Sequence, residues 1–191
     1  MDINNEEYYH IDYNNRLRVG ETYNTRENDL YEEIYNSEYL VDGKDSIEIL
    51  NDKRKNNDTK LSIDELNAIY KTLSNQAFIT RELMFEKVRK EKDESLPSRL
   101  KCLFVCKDLE EIKLWIDILK RNKKEDYKIY KVRLDGKMFC GNASLVLRQN
   151  ISLNKKIEQA KKYWSGNNDN LIPEYLFEGK FEVVERIDDI C

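Results

Sequence analysis

The stretch Tyr127-Lys128-Ile129-Tyr130-Lys131-Val132-Arg133-Leu134 alternates with a period of two: Tyr130, Val132 and Leu134 share one face, Lys131 and Arg133 the other. That is the pattern of a strand with one buried and one solvated face, which belongs to an antiparallel sheet; a parallel strand covered on both faces reads as an unbroken apolar run. Asp135-Gly136 is a turn signal, and the strand is expected to end there. Further along, Ile157, Ala160 and Trp164 recur on one helical face, so a helix is expected over Leu153 to Trp164. After the polar loop Ser165 to Asn170, residues Glu174 to Ile187 are strand-like in two halves interrupted by Gly179-Lys180.

Upstream, Leu100 to Cys106 is an apolar run of strand length, and Asp108-x-x-Glu111 caps an amphipathic helix carrying Leu109, Ile112, Trp115, Ile116 and Leu119. Lys120-Arg121-Asn122-Lys123-Lys124 supplies positive charge at the end of that helix, where the helix dipole favours it. Ser62-Ile63-Asp64-Glu65 is a capping box, and the apolar steps Leu66, Ile69, Tyr70, Leu73, Ala77, Met84 and Val88 extend a helix to about Lys90, with a break expected near Asn75. Residues 23–60 are polar, and the scattered Leu30, Ile34, Leu40, Ile47 and Leu50 suggest irregular or short helical structure. Tyr8 to Asp12 reads as a first strand ending near His10. Strands and helices mix without a βαβ rhythm. The expected fold is α+β, a split and mostly antiparallel sheet with flanking helices, in a single domain over residues 1–191.

Composition narrows the function classes. The 33 Lys and Arg against 37 Asp and Glu leave a net charge of -4, so no global field recruits a polyanion. No stretch approaches the roughly 20 apolar residues that span a bilayer, and Met1-Asp2-Ile3-Asn4-Asn5 lacks the basic and apolar segments of a signal peptide. A cytoplasmic protein without membrane contact is expected. With a single histidine, His10, the four cysteines (Cys102, Cys106, Cys140, Cys191) read as reduced thiols and not as a zinc site. The sequence contains no G-x-x-x-x-G-K-[ST], G-x-G-x-x-G, H-E-x-x-H or G-x-S-x-G.

What remains is a set of polar residues at the ends of apolar strands: His10, Ser98-Arg99 and Glu174. These lie in blocks that resemble a bacterial family, DUF2441: Tyr8-Tyr9-His10-Ile11, Leu17-Arg18-Val19-Gly20-Glu21, Arg81-Glu82-Leu83, Leu96-Pro97-Ser98-Arg99-Leu100, Tyr163-Trp164-Ser165-Gly166 and Pro173-Glu174-Tyr175-Leu176-Phe177-Glu178-Gly179. The resemblance implies an ADP-ribosyltransferase-like fold that takes NAD as substrate. It places His10 against a ribose of NAD and Glu174 on a ribose hydroxyl. Phe104 stands in the strand that would supply the stacking aromatic, although no tyrosine lies within Leu100 to Cys106. A carboxylate suits this chemistry because departure of nicotinamide builds positive charge on the ribose. Arg99 or Arg18 could bind the pyrophosphate as a planar fork, beside Ser98. Position 172 is Ile, so the Glu-x-Glu or Gln-x-Glu signature of arginine-modifying enzymes is absent.

On residues alone each of these has a plainer reading: His10 as a structural side chain, Glu174 as a strand-opening residue, Arg99 as an ion-pair partner of Glu82 or Glu86, and Tyr163-Trp164 as core. The expected function is a mono-ADP-ribosyltransferase or other NAD-consuming enzyme with a protein, nucleic-acid or small-molecule acceptor. Its alternatives are a noncatalytic binding module on the same fold and an RNA 2'-phosphotransferase-like enzyme.

Overall fold

The computed structural model describes residues 1–25, 36–120, 127–146, 151–166 and 172–188. Leu30, Ile34, Arg121 to Lys124, Cys191 and most of the loop before Glu174 lie outside them. The described strands are β1 (Asp2–Asp12), β2 (Thr22–Asn24), β3 (Leu103–Val105), β4 (Lys128–Asn142) and β5 (Pro173–Ile187). The helices are α1 (Ser46–Lys55), α2 (Ile63–Lys92), α3 (Leu109–Lys120) and α4 (Leu153–Trp164). Every strand pair is antiparallel, in the order β1-β4-β5-β2, with β3 also on β5. The α+β expectation and its mostly antiparallel sheet hold.

Two expected breaks do not occur. β4 runs on through Asp135-Gly136 to Asn142, and β5 is one strand through Gly179-Lys180. The cause is a cross-strand pairing: Gly136 lies opposite Gly179, each with a positive φ (156° and 154°). A Cβ on either would stand 2.4 Å from a carbonyl oxygen of the facing strand. The glycines let two long strands cross closely instead of ending them.

The strand expected over Leu100 to Cys106 shrinks to Leu103–Val105 because Ser98 turns the chain before it. The Ser98 carbonyl accepts from the amides of Lys101 (3.0 Å) and Cys102 (2.9 Å), and its hydroxyl accepts from Leu100 (3.2 Å). Beyond β3, Cys106 and Tyr9 exchange both backbone hydrogen bonds (2.7 and 2.8 Å), so the sheet bends far enough for this end of β3 to reach β1. β1 itself continues past His10 to Asp12.

Helix α2 starts on the Ser62 capping box and is continuous for 30 residues, with no break near Asn75. In the polar segment the structure has a regular helix, α1, capped reciprocally by Asp45 and Glu48. The capping of α3 is looser. Asp108 accepts from the Glu111 amide at 2.9 Å, whereas Glu111 reaches past it to the amide of Lys107.

One buried cluster is built from strand side chains such as Val132, Leu134, Phe177 and Val183. A second joins α2 and α4 to the sheet through Phe85, Val88, Ala160, Trp164 and Leu176, and a third seats α3 through Ile112 and Ile116. No described helix is long and apolar enough to cross a membrane.

Candidate functional site

Glu174 is the second residue of β5, and two contacts fix where that strand begins. The Ala143 amide donates to the Ile172 carbonyl at 2.9 Å, and the Trp115 indole of α3 donates to the Pro173 carbonyl at 3.1 Å. Glu174 lies opposite Gly141 of β4 and is buried. An isolated buried carboxylate is costly, so partners are required, and they come from a turn and a helix, with a second helix backing the turn.

Arg99, on the Ser98 turn, donates through Nη1 to Glu174 Oε2, and the Tyr163 hydroxyl donates to the same oxygen at 2.6 Å. Arg99 Nη1 also donates to the Tyr163 oxygen at 3.1 Å, and its Nε donates to Glu82 Oε2 at 2.9 Å. The other oxygen of Glu82 accepts from Arg81 Nε at 2.7 Å, and Arg81 Nη1 ends the chain on the Val146 carbonyl at 3.0 Å. Two carboxylates and two guanidiniums thus sit together below the surface, their formal charges cancelling. Burial pushes the Glu82 carboxyl up, but Arg99 and Arg81 outweigh it and hold the group below its ordinary range. Burial, reinforced by Glu174, keeps the Tyr163 phenol protonated well beyond its usual range.

Both recorded bonds to Glu174 fall on Oε2. Among the described residues none is recorded to Oε1. Among the described residues, the carboxylate is therefore oriented through one oxygen.

His10, half-buried on β1, places Nδ1 2.8 Å from the Phe104 carbonyl. A carbonyl only accepts, so Nδ1 carries the proton and Nε2 of the neutral ring is left as an acceptor. The ring continues the β1 to β3 pairing by one more bond beyond the Tyr9 and Cys106 bridge. Burial pushes this imidazole below its usual value, against the Phe104 bond and the Asp12 carboxylate, which favour its charged form. Phe104 lies opposite Leu176, two residues from Glu174, and its ring centre is 5.4 Å from the Arg99 guanidinium carbon. His10, Phe104 and Glu174 stand on β1, β3 and β5, which meet through the Tyr9 and Cys106 bridge and the Phe104 and Leu176 pairing. Along β4, however, His10 faces Tyr130 and Glu174 faces Gly141, and by alternation His10 shares the face of Tyr8 and Tyr130 while Glu174 and Phe104 share that of Leu176.

The other expected residues are placed differently. Of the alternatives open for Arg99, the ion pair with Glu82 is present, and its Nε and Nη1 are each engaged by a protein carboxylate. Ser98 is buried, its hydroxyl donating to Glu86 at 2.8 Å and its amide to Glu178 at 3.1 Å. Arg18 lies on the loop after β1, where its Nη1 donates to the Asn15 and Leu17 carbonyls. Cys102 and Cys106 are buried free thiols whose ionisation burial suppresses. Cavities of about 190 and 220 Å³ are lined by other residues, among them Arg133 and Lys180 in one, Lys44 and Asp58 in the other.

The sequence reading named Glu82 as one of two alternative partners of Arg99, favoured Tyr163 as core, and missed Arg81. A signal existed for Arg81: it occupies an apolar-face slot in the helical steps Ala77, Arg81, Met84 and Val88. A charge in such a slot demands a buried partner.

A family model described as "Protein of unknown function (DUF2441)" matches residues 8–189. No curated protein matches the chain.

Proposed function

This chain belongs to the DUF2441 family, and from that premise we propose that it is a cytoplasmic NAD-consuming enzyme on an ADP-ribosyltransferase-like fold, transferring ADP-ribose to a protein, nucleic-acid or small-molecule acceptor. The observation that carries the reading is the setting of Glu174: a buried carboxylate held in place through Oε2 by Arg99 and Tyr163. Nicotinamide leaves with the electron pair of the glycosidic bond, and the ribose carbon turns cationic. A fixed negative oxygen beside it stabilises that charge without having to reorganise. Glu174 Oε1 supplies that oxygen and accepts a ribose hydroxyl. The family resemblance adds His10 at a second ribose hydroxyl, Phe104 at the nicotinamide and Arg18 at the pyrophosphate. Arg99, engaged by two carboxylates, positions Glu174.

The test is nicotinamide release from NAD, with and without cell lysate, followed by mass spectrometry. Glu174→Gln is expected to lower release at least about 100-fold, with circular dichroism matching the wild type. Wild-type turnover in that variant ends the reading.

A second reading, a noncatalytic module on the same fold, is favoured by the proximity of Arg99, whose charge offsets that of Glu174, and by phenylalanine at 104. It predicts no NAD-dependent rise in melting temperature. A saturable rise counts against it.

A further inference from the structure

We infer that Tyr163 is a positioning residue for the Glu174 carboxylate, reaching it through the opening left by Gly141; the inference rests on the enzymatic reading above. Tyr163 lies in the last turn of α4, 1 % exposed, among the rings of Phe85, Phe139 and Trp164. A phenylalanine would fill that space equally well, so packing does not account for the hydroxyl. The hydroxyl has one proton, and Arg99 can only donate to it. The proton therefore points at Glu174 Oε2, 2.6 Å away, and Arg99 Nη1 donates to the phenol oxygen from behind. This fixes the direction of the bond and the oxygen it occupies.

Gly141 makes the approach possible. It is the β4 residue opposite Glu174, and its φ is not in the left-handed region. What it provides is space: a Cβ there would stand 2.3 Å from Tyr163 Cε2 and 2.4 Å from Cζ. Any larger residue pushes the ring off its line to the carboxylate. Tyr163 and Gly141 thus act as one device, the second clearing the path that the first uses.

The experiment measures nicotinamide release for the wild type, Tyr163→Phe, Gly141→Ala and the double variant, together with crystal structures of the wild type and Tyr163→Phe. Tyr163→Phe is expected to lower kcat about 100-fold with KM within about twofold, the signature of an interaction that matters in the transition state and not in substrate binding. Gly141→Ala gives the same loss, and the double variant is no worse than the poorer single variant, as for two parts of one device. An unchanged kcat in Tyr163→Phe, or losses that multiply in the double variant, overturns the inference. Should the wild type release no nicotinamide, the enzymatic reading fails on its own, and the crystal structures decide the positioning role. The Glu174 carboxylate is expected to swing away in Tyr163→Phe, and a side chain that keeps its rotamer refutes it.

Discussion

The His10 imidazole is neutral because burial disfavours its charged form, and this has a measurable sign. The unfolded chain takes up a proton near the ordinary value of 6.5, whereas the folded chain resists until lower pH. The stabilising contribution is complete above pH 6.5 and is lost as pH falls through the folded value. Melting temperature should therefore drop as pH falls below 6.5 in the wild type, with a shallower slope in His10→Gln; equal slopes refute the assignment. His10 and Glu174 were legible as candidates because each is a polar residue at the edge of an apolar run. Their partners were not. Glu174 meets Arg99 across 75 residues, and no local periodicity encodes such a meeting; the Arg99 to Glu82 contact was readable only as one of two alternatives. Only Arg81, a charge in an apolar slot of α2, announced that something buried had to answer it.

Elements were legible where their signals are local. The Ser62 capping box and the face shared by Ile157, Ala160 and Trp164 fixed α2 and α4 because caps and helical periodicity act within a few residues. Gly136 and Gly179 misled because a glycine in an alternating stretch means either a turn or a close crossing, and the difference lies in a strand more than forty positions away. The crossing has a cost that can be read. Gly136→Ala places a methyl group 2.4 Å from the Glu178 carbonyl oxygen, on backbone that cannot easily retreat. It should destabilise the protein by about 1–3 kcal/mol in urea unfolding, and Gly179→Ala by a similar amount. At Gly43, where a Cβ meets nothing within 4 Å, alanine answers only to its positive φ and should cost less. Equal effects at the two kinds of site would argue against the crossing.

Across the whole molecule, packing is uneven. β4 and β5 hold Val132, Leu134, Leu176, Phe177 and Val183 with no exposure, whereas α1 buries only Ser46 and Ile49. The first half of α2 leaves Ile63, Leu66, Tyr70 and Leu73 more than half exposed. Few buried contacts mean low local stability. Amide exchange in α1 and residues 63–73 should run at least about tenfold faster than in β4 and β5, measured by hydrogen-deuterium mass spectrometry, and uniform protection would contradict this. The buried chain of Arg81, Glu82, Arg99 and Glu174 lies at the better packed end, and its arithmetic reaches into descent. Each charge is tolerated below the surface only because the others are present, so a lone replacement leaves an odd charge stranded. Exchanging the four one at a time therefore passes through destabilised proteins, whereas exchanging all of them for apolar side chains of similar volume need not.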